Sequence, residues 1–206
     1  MVTLRGIFSI GHSTLPYEQF LTLLRRVGVD AVADVRTSPY SRYLPHFNQK
    51  ELCSELKQDG IAYVFLGKEL GGRPTGANFY CEGVADYEKM ASTEAFNAGI
   101  DRVVAGGERY RIALMCSEKH PLDCHRCLLV GRQLLRRGID VQHIMSKGST
   151  IPQTRIEEEL LTLVGQNADD LFSAREERLQ TAYRLQARKV AFSTSDPGRP
   201  PPVAAE

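Results

Sequence analysis

RIALMCSEKHPLDCHRCLLVGRQLLRRGIDVQHI, residues 111–144, decides the fold. It opens with an apolar run ending in Cys116. Apolar side chains then recur at helical spacing over 126–138, closing at Gly138, and VQHI (141–144) is a second short apolar run. A short apolar run bounded by turn residues reads as a buried strand, and a periodic segment stopped by Gly reads as a helix. Strand, helix and strand in this order make a crossover unit, which sets two strands parallel with a helix against one face.

The same alternation extends back to the amino terminus. IFSI (7–10), AVADV (31–35) and IAYVFL (61–66) read as strands, and amphipathic patterns over 17–28, 48–60 and 86–107 read as helices. The expected class is α/β: a mostly parallel sheet of about five strands flanked by helices. Residues 37–47 and 67–83 are long Gly, Pro and aromatic connections after the second and third strands, and connections of that length often carry function. Helical spacing resumes from Thr154 to about Phe192 (Ile156, Leu160, Leu161, Leu163, Val164, then Leu171, Leu179, Leu185), predicting a C-terminal helical appendage. The closing SDPGRPPPVAAE has little to bury. The chain therefore divides into an α/β domain over 1–150, a helical extension over 151–192 and a disordered tail over 193–206.

Twenty-six Lys and Arg against twenty-five Asp and Glu leave a formal charge of +1, so no global field draws in nucleic acid or an anionic membrane. Any such binding is local. The start has no leader-like apolar run, and no segment approaches the roughly 20 apolar residues that span a bilayer. A cytoplasmic protein without membrane association is expected. In that setting five cysteines are free, metal-bound or catalytic rather than a disulfide framework.

In open parallel sheets ligands bind beyond the carboxyl ends of the strands. Those positions hold His12, Ser13 and Thr14 after strand one, Asp34 and Arg36 after strand two, Lys68 and Glu69 after strand three, and Cys116, Glu118 and Lys119 after strand four, followed by Asp123, Cys124, His125 and Arg126 at a helix start. Singly, each has an ordinary reading: His12 as a turn cap, Asp34 with Arg36 as an internal ion pair, Cys116 as a packed core thiol. Falling at one sheet edge, they outline a pocket. A thiol beside a helix amino terminus is stabilised as thiolate, and Arg126 there adds a planar anion clamp. Two other readings stay open. Cys116, His120, Cys124 and Cys127 are four legitimate zinc ligands at loose spacing, and Cys124 with Cys127 forms a C-x-x-C at a helix start.

IGHST (10–14), DVRTSPYSR (34–42), GIAYVFLGKELGG (60–72) and LMCSEKHPLDCHR (114–126), followed by VQHI, resemble the bacterial and archaeal domain-of-unknown-function 488 family over roughly residues 7–165. The resemblance implies that Cys116 and Cys124 are signature cysteines and that Cys127 stands outside the pattern, which weakens both the C-x-x-C and the four-ligand string. It raises His12, Asp34, Arg36, Glu118, His125 and Arg126. A looser likeness to rhodanese and cysteine-phosphatase layouts fails on spacing, because nine residues separate Cys116 from Arg126.

The leading expectation is a cysteine-dependent enzyme acting on a small anionic or phosphorylated substrate, a nucleotide or nucleic-acid end among them. Cys116 and Cys124 are the reactive pair, His12 or His125 moves protons, Glu118 orients a histidine, and Arg36, Arg126, Asp34, Lys119, Ser13 and Thr14 surround the anion. The alternatives are a non-catalytic nucleic-acid or nucleotide-binding module using Arg42, Lys68, Arg73 and Lys119, and a metal site on Cys116, Cys124 and His12 or His125. The residues specify no cofactor, and the C-terminal helices are free to pair between chains.

Overall fold

The computed structural model describes residues 4–166 and 174–195. Among the described residues, strands β1 (Ile7–Gly11), β2 (Ala31–Asp34), β3 (Ala62–Phe65), β4 (Tyr80–Cys81), β5 (Val84–Ala85), β6 (Ile112–Cys116), β7 (Gln142–Ile144) and β8 (Thr150–Pro152) are interspersed with eight α-helices. These are α1 (Tyr17–Arg26), α2 (Gln49–Gln58), α3 (Gly67–Leu70), α4 (Tyr87–Ala91), α5 (Glu94–Gly107), α6 (Arg132–Arg136), α7 (Gln153–Leu163) and α8 (Arg175–Val190).

The main sheet runs β3-β2-β6-β1-β7-β8, its first five strands parallel and β8 antiparallel to β7. The class is α/β as the alternation implies. The sixth strand, β8, ends in Pro152, which lacks a backbone N–H and so belongs at an edge. All five residues of β6 are buried because both faces of the strand are covered. Phe20, Leu24, Leu52 and Leu56 of α1 and α2 pack against Phe8, Ile10, Val32 and Met115 on one side. Ile100, Leu134, Ile156 and Leu179, from α5 to α8, share the other side with Ile7, Ala33, Ile112 and Leu114.

From β1 the chain steps to one edge of the sheet through β2 and β3, then returns through β6 and β7 toward the other. That reversal brings the carboxyl ends of β1, β6 and β2 side by side, the place where open α/β sheets leave a crevice.

Three segments depart from the sequence reading in detail. The pattern over 86–107 breaks at Thr93, whose Oγ1 accepts the Phe96 N–H at 3.2 Å and starts α5 afresh. Residues 126–138 begin as a wide π-helical turn, Arg126–Gly131, before tightening into α6. The 67–83 connection holds α3 and β4, which pairs antiparallel with β5 just beyond it.

The C-terminal helices dock through a buried polar relay as well as through apolar contact. Ser9 Oγ lies 2.6 Å from His143 Nδ1, His143 Nε2 lies 2.6 Å from Gln153 Oε1, Gln153 Nε2 donates to Tyr183 Oη at 2.8 Å, and Tyr183 donates to Glu157 at 3.1 Å. Gly131 lets Gln153 reach this position, since a Cβ there would stand 2.4 Å from Oε1. Leu171 and the tail beyond Ser195 lie outside the described residues. Among the described residues no helix is long and apolar enough to cross a membrane.

Candidate functional site

β6 delivers Cys116 to the crevice, and the chain then folds back on itself. Arg126, the largest fully buried side chain, holds this loop by donating from Nη1 to the Glu118 carbonyl at 2.6 Å and from Nη2 to the Lys119 carbonyl at 3.1 Å. The loop presses against the end of β1 so closely that a Cβ on Gly11 would lie 1.8 Å from Glu118 O. Only glycine fits there. Gly11→Ala is expected to cost about 1–3 kcal/mol of stability through overpacking, read from the denaturant midpoint.

A short turn, Pro121–Asp123, capped by His120 accepting the Leu122 N–H at 3.2 Å, then returns the chain to Cys124 and His125. Both sulfurs end 2.8 Å from the same Glu118 oxygen, and His125 Nδ1 lies 3.7 Å from Cys116 Sγ and 3.8 Å from Cys124 Sγ. The ligating atoms of Cys116, Glu118, Cys124 and His125 all fall within 4.8 Å of one another. His125 Nε2 donates to Val35 O at 2.9 Å, which leaves Nδ1 with its lone pair facing the sulfurs.

The two thiols are not equivalent. Burial, reinforced by the Cys124 sulfur and Glu118, pushes the Cys116 thiol well above its ordinary value. Burial acts on Cys124 in the same sense, but the Cys116 thiol, the Arg126 charge and the His125 ring beside it take it well below. The Arg126 backbone N–H also donates to Cys124 Sγ at 3.4 Å. Glu118 is pushed up to about 7 by burial and by the negative charge on Cys124.

Beside this cluster stands a second one. Arg36 Nε and Nη2 grip Asp34 at 2.9 and 2.7 Å, Nη2 also donates to Phe47 O at 2.8 Å, and Tyr63 donates to Asp34 at 2.8 Å. His12 stacks on Phe47 at 4.1 Å between ring centres, gives its Nδ1 proton to Ser13 O and accepts from Arg36 Nη1 at 3.2 Å. Burial, with Arg36 beside it, lowers His12 to about 4.

An open cavity of about 410 Å³ lies over both clusters, lined among others by Arg36, Tyr40, Arg73, Cys116, Glu118, Asp123, His125, Arg188 and Lys189. Of the residues singled out from the sequence, Arg36, Arg73, Cys116, Glu118, Asp123 and His125 reach it. Cys124 and Asp34 lie behind these in direct contact, and His12 sits behind Arg36. Arg126 is wholly buried with its Nη groups committed to loop carbonyls. Lys119 and Thr14 are exposed and away from the lining, and Ser13 is tied by its N–H to Ser117 O. Cys127 packs beneath, its sulfur accepting from Gln153, and with His120 stands outside the four-residue group.

Arg188 and Lys189 are charged lining residues that sequence reasoning did not reach. They occupy the last turn of α8, and a helix's basic last turn is a common dipole feature that gives no hint of where the helix folds back. Tyr63 went unnoticed too, as one more aromatic in a strand.

These features define an α/β protein with a thiol, carboxylate and imidazole cluster at the carboxyl ends of its parallel strands. The chain belongs to the DUF488 family, a domain of unknown function, whose family model matches residues 16–133. That span holds Asp34, Arg36, Cys116, Glu118, Cys124, His125 and Arg126, while His12 precedes it. No curated protein and no solved structure shows significant similarity to the chain.

Proposed function

We propose that this protein is a cysteine-dependent enzyme acting on a small anionic or phosphorylated substrate, held in the cavity with its reacting centre over Cys116, Glu118 and His125. The observation that carries this reading is the coincidence of two features in one crevice: a rim of guanidinium and ammonium groups, and a floor of thiol, carboxylate and imidazole. Cations at the mouth concentrate an anion and orient it, while the groups behind supply the chemistry. Arg36 is pre-set for this role, since two of its nitrogens are fixed by Asp34 and its position does not depend on substrate. Arg73 lies over the Phe192 ring, 4.9 Å from its centre, which positions a second cation opposite.

A second reading, a nucleotide-binding module without chemistry, is favoured by Tyr40, 70% exposed in the cavity lining. Exposed aromatic faces next to cations suit a base with its phosphate. Titration with inorganic phosphate and with adenosine monophosphate tests both. Arg73→Glu with Lys189→Glu is expected to weaken phosphate binding by about tenfold or more, with Cys116→Ser binding as well as wild type. Phosphate affinity unchanged by the charge reversal sinks the enzyme reading. A gain of adenosine monophosphate over phosphate that is lost in Tyr40→Ser assigns the base to Tyr40.

A further inference from the structure

We propose that Cys116, Glu118, Cys124 and His125 together bind one thiophilic divalent metal ion, Zn(II) by their ligand type, at the floor of the cavity. The inference rests on the reading of this floor as the working centre and says what holds it together.

Two sulfurs, a carboxylate oxygen and an imidazole nitrogen come from one ten-residue stretch that folds back on itself, from the end of β6 through the loop after it to the residues just before the π-helical turn, and meet within 4.8 Å. Zinc bonds of about 2.3 Å to sulfur, 2.0–2.1 Å to imidazole and 2.0–2.2 Å to carboxylate place tetrahedral ligand atoms roughly 3.4–3.8 Å apart. The two sulfur to Nδ1 distances, 3.7 and 3.8 Å, already match. The two sulfur to Glu118 distances, 2.8 Å each, are shorter, so the carboxylate draws back by roughly 0.7 Å when an ion enters. Both contacts are tighter than the commonest N–H···O length although sulfur is the larger atom. An ion between the three groups separates and neutralises them at once.

His125 hands its Nε2 proton to the Val35 carbonyl at 2.9 Å, which leaves Nδ1 as the free lone pair. Metal-binding histidines are fixed in this way, by a partner on the opposite ring nitrogen. Val35 follows β2 and is fully buried, so its carbonyl is a rigid anchor. The Arg126 guanidinium pins the loop that carries Glu118, and the Arg126 N–H donates to Cys124 Sγ. Gly72 makes room behind the imidazole, where a Cβ would stand 2.8 Å from Cγ.

The alternatives leave these features unused. As a nucleophile Cys124 is badly placed, being 1% exposed and absent from the cavity lining. A Cys116–Cys124 disulfide, formed by loss of two electrons and two protons to an oxidant, gives Glu118 and His125 Nδ1 nothing to bind. With a metal, all four groups are satisfied. The ion's entry displaces to solvent whatever protons the two sulfurs and Glu118 still carry, and no electron moves. Thiolate and imidazole ligands select zinc over magnesium or calcium. Because Cys116, Glu118 and His125 line the cavity while Cys124 closes the back, the ion has one face toward the proposed substrate. With four protein ligands the tetrahedron is closed, as in a structural site, so the ion would hold the floor in shape beside the substrate rather than bind it directly.

Elemental analysis of full-length protein, purified under reducing conditions without chelator, is expected to give one zinc per chain. The Cys116→Ser/Cys124→Ser double variant should lose it, and Cys127→Ser should keep it. Adding Co(II) to stripped wild-type protein should produce the visible bands of a tetrahedral site with a thiolate charge-transfer band, a readout that needs no variant to fold. Iodoacetamide should label exposed Cys81 at once, and Cys116 and Cys124 only after chelation. Wild-type protein without metal, or Co(II) spectra lacking the thiolate band, overturns the proposal. Phosphate titration of the stripped protein keeps the two readings apart, because the rim cations bind anions whether or not the ion is present.

Discussion

Replacing Arg36 by Ala is expected to lower the free energy of unfolding by about 3–5 kcal/mol, the cost of leaving one partner of a buried ion pair alone. Asp34 is fully buried and Arg36 nearly so. The guanidinium meets both carboxylate oxygens, bridges to Phe47 O and donates to His12 Nε2, so its removal strips four contacts in one step. Tyr63 and the Arg36 backbone N–H, 2.8 and 3.0 Å from Asp34, remain, and they do not neutralise its charge. For a domain stabilised by roughly 5–15 kcal/mol this loss is a large fraction of the whole. The check is urea unfolding of Arg36→Ala beside Asp34→Asn/Arg36→Met. The double variant removes the charge together with its partner, keeps an acceptor for Tyr63 and should lose less than the single one. A single variant within 1 kcal/mol of wild type, on the scale of an exposed pair, shows that the pair is not desolvated.

That pair illustrates what was legible in the chain beforehand. AVADVR shows an apolar run and then alternating charges, enough to place Asp34 and Arg36 at a strand's carboxyl end and to hold ion pair and pocket as competing readings. Both apply: three of the guanidinium's nitrogens are committed inside, and its edge still lines the cavity. The CSEKHPLDCHR segment was legible in a different way. Its residue types announced thiol and imidazole chemistry, but four candidate ligand sets shared the segment, and sequence spacing gives no direction in space. The loop reverses because Gly11 admits Glu118 O and Arg126 gathers two carbonyls, and this turns Glu118 inward, leaving His120 to cap a turn. Arg126 looked like an anion clamp for the same reason that it makes a good loop clamp, since its planar fork suits carbonyls as well as phosphates. The contribution of α8 was illegible, because the docking of a helix on a distant rim depends on tertiary packing that one amphipathic stripe does not specify.

Acidification provides the other large effect, through His143. The imidazole is completely buried between Ser9 and Gln153, and burial, with the Arg126 charge nearby, lowers it to about 3. Gln153 donates its amide to Tyr183, so its oxygen accepts the His143 Nε2 proton and Nδ1 accepts from Ser9. Both ring nitrogens are thus satisfied only in the neutral form. The unfolded chain takes up the proton near pH 6.5 whereas the folded one resists it, so stability is fully present above 6.5 and drains away as pH falls toward 3. Between pH 6.5 and 4.5 this one group removes about 2 kcal/mol. His12, lowered to about 4, acts in the same direction, and Glu118, raised to about 7, opposes it over 7 to 4.5. The net slope of the wild type is therefore a poor test, and a difference is a good one. His143→Gln keeps a donor toward Gln153 and has no proton to gain. Its unfolding free energy, lower than wild type at pH 7, should converge on the wild-type curve by pH 4.5, with the lost slope confined to the acid side of 6.5. Parallel curves for the two proteins over that window would show that His143 is protonated as readily in the folded protein as in the unfolded chain, and that the relay from β1 to α8 does not depend on its neutrality.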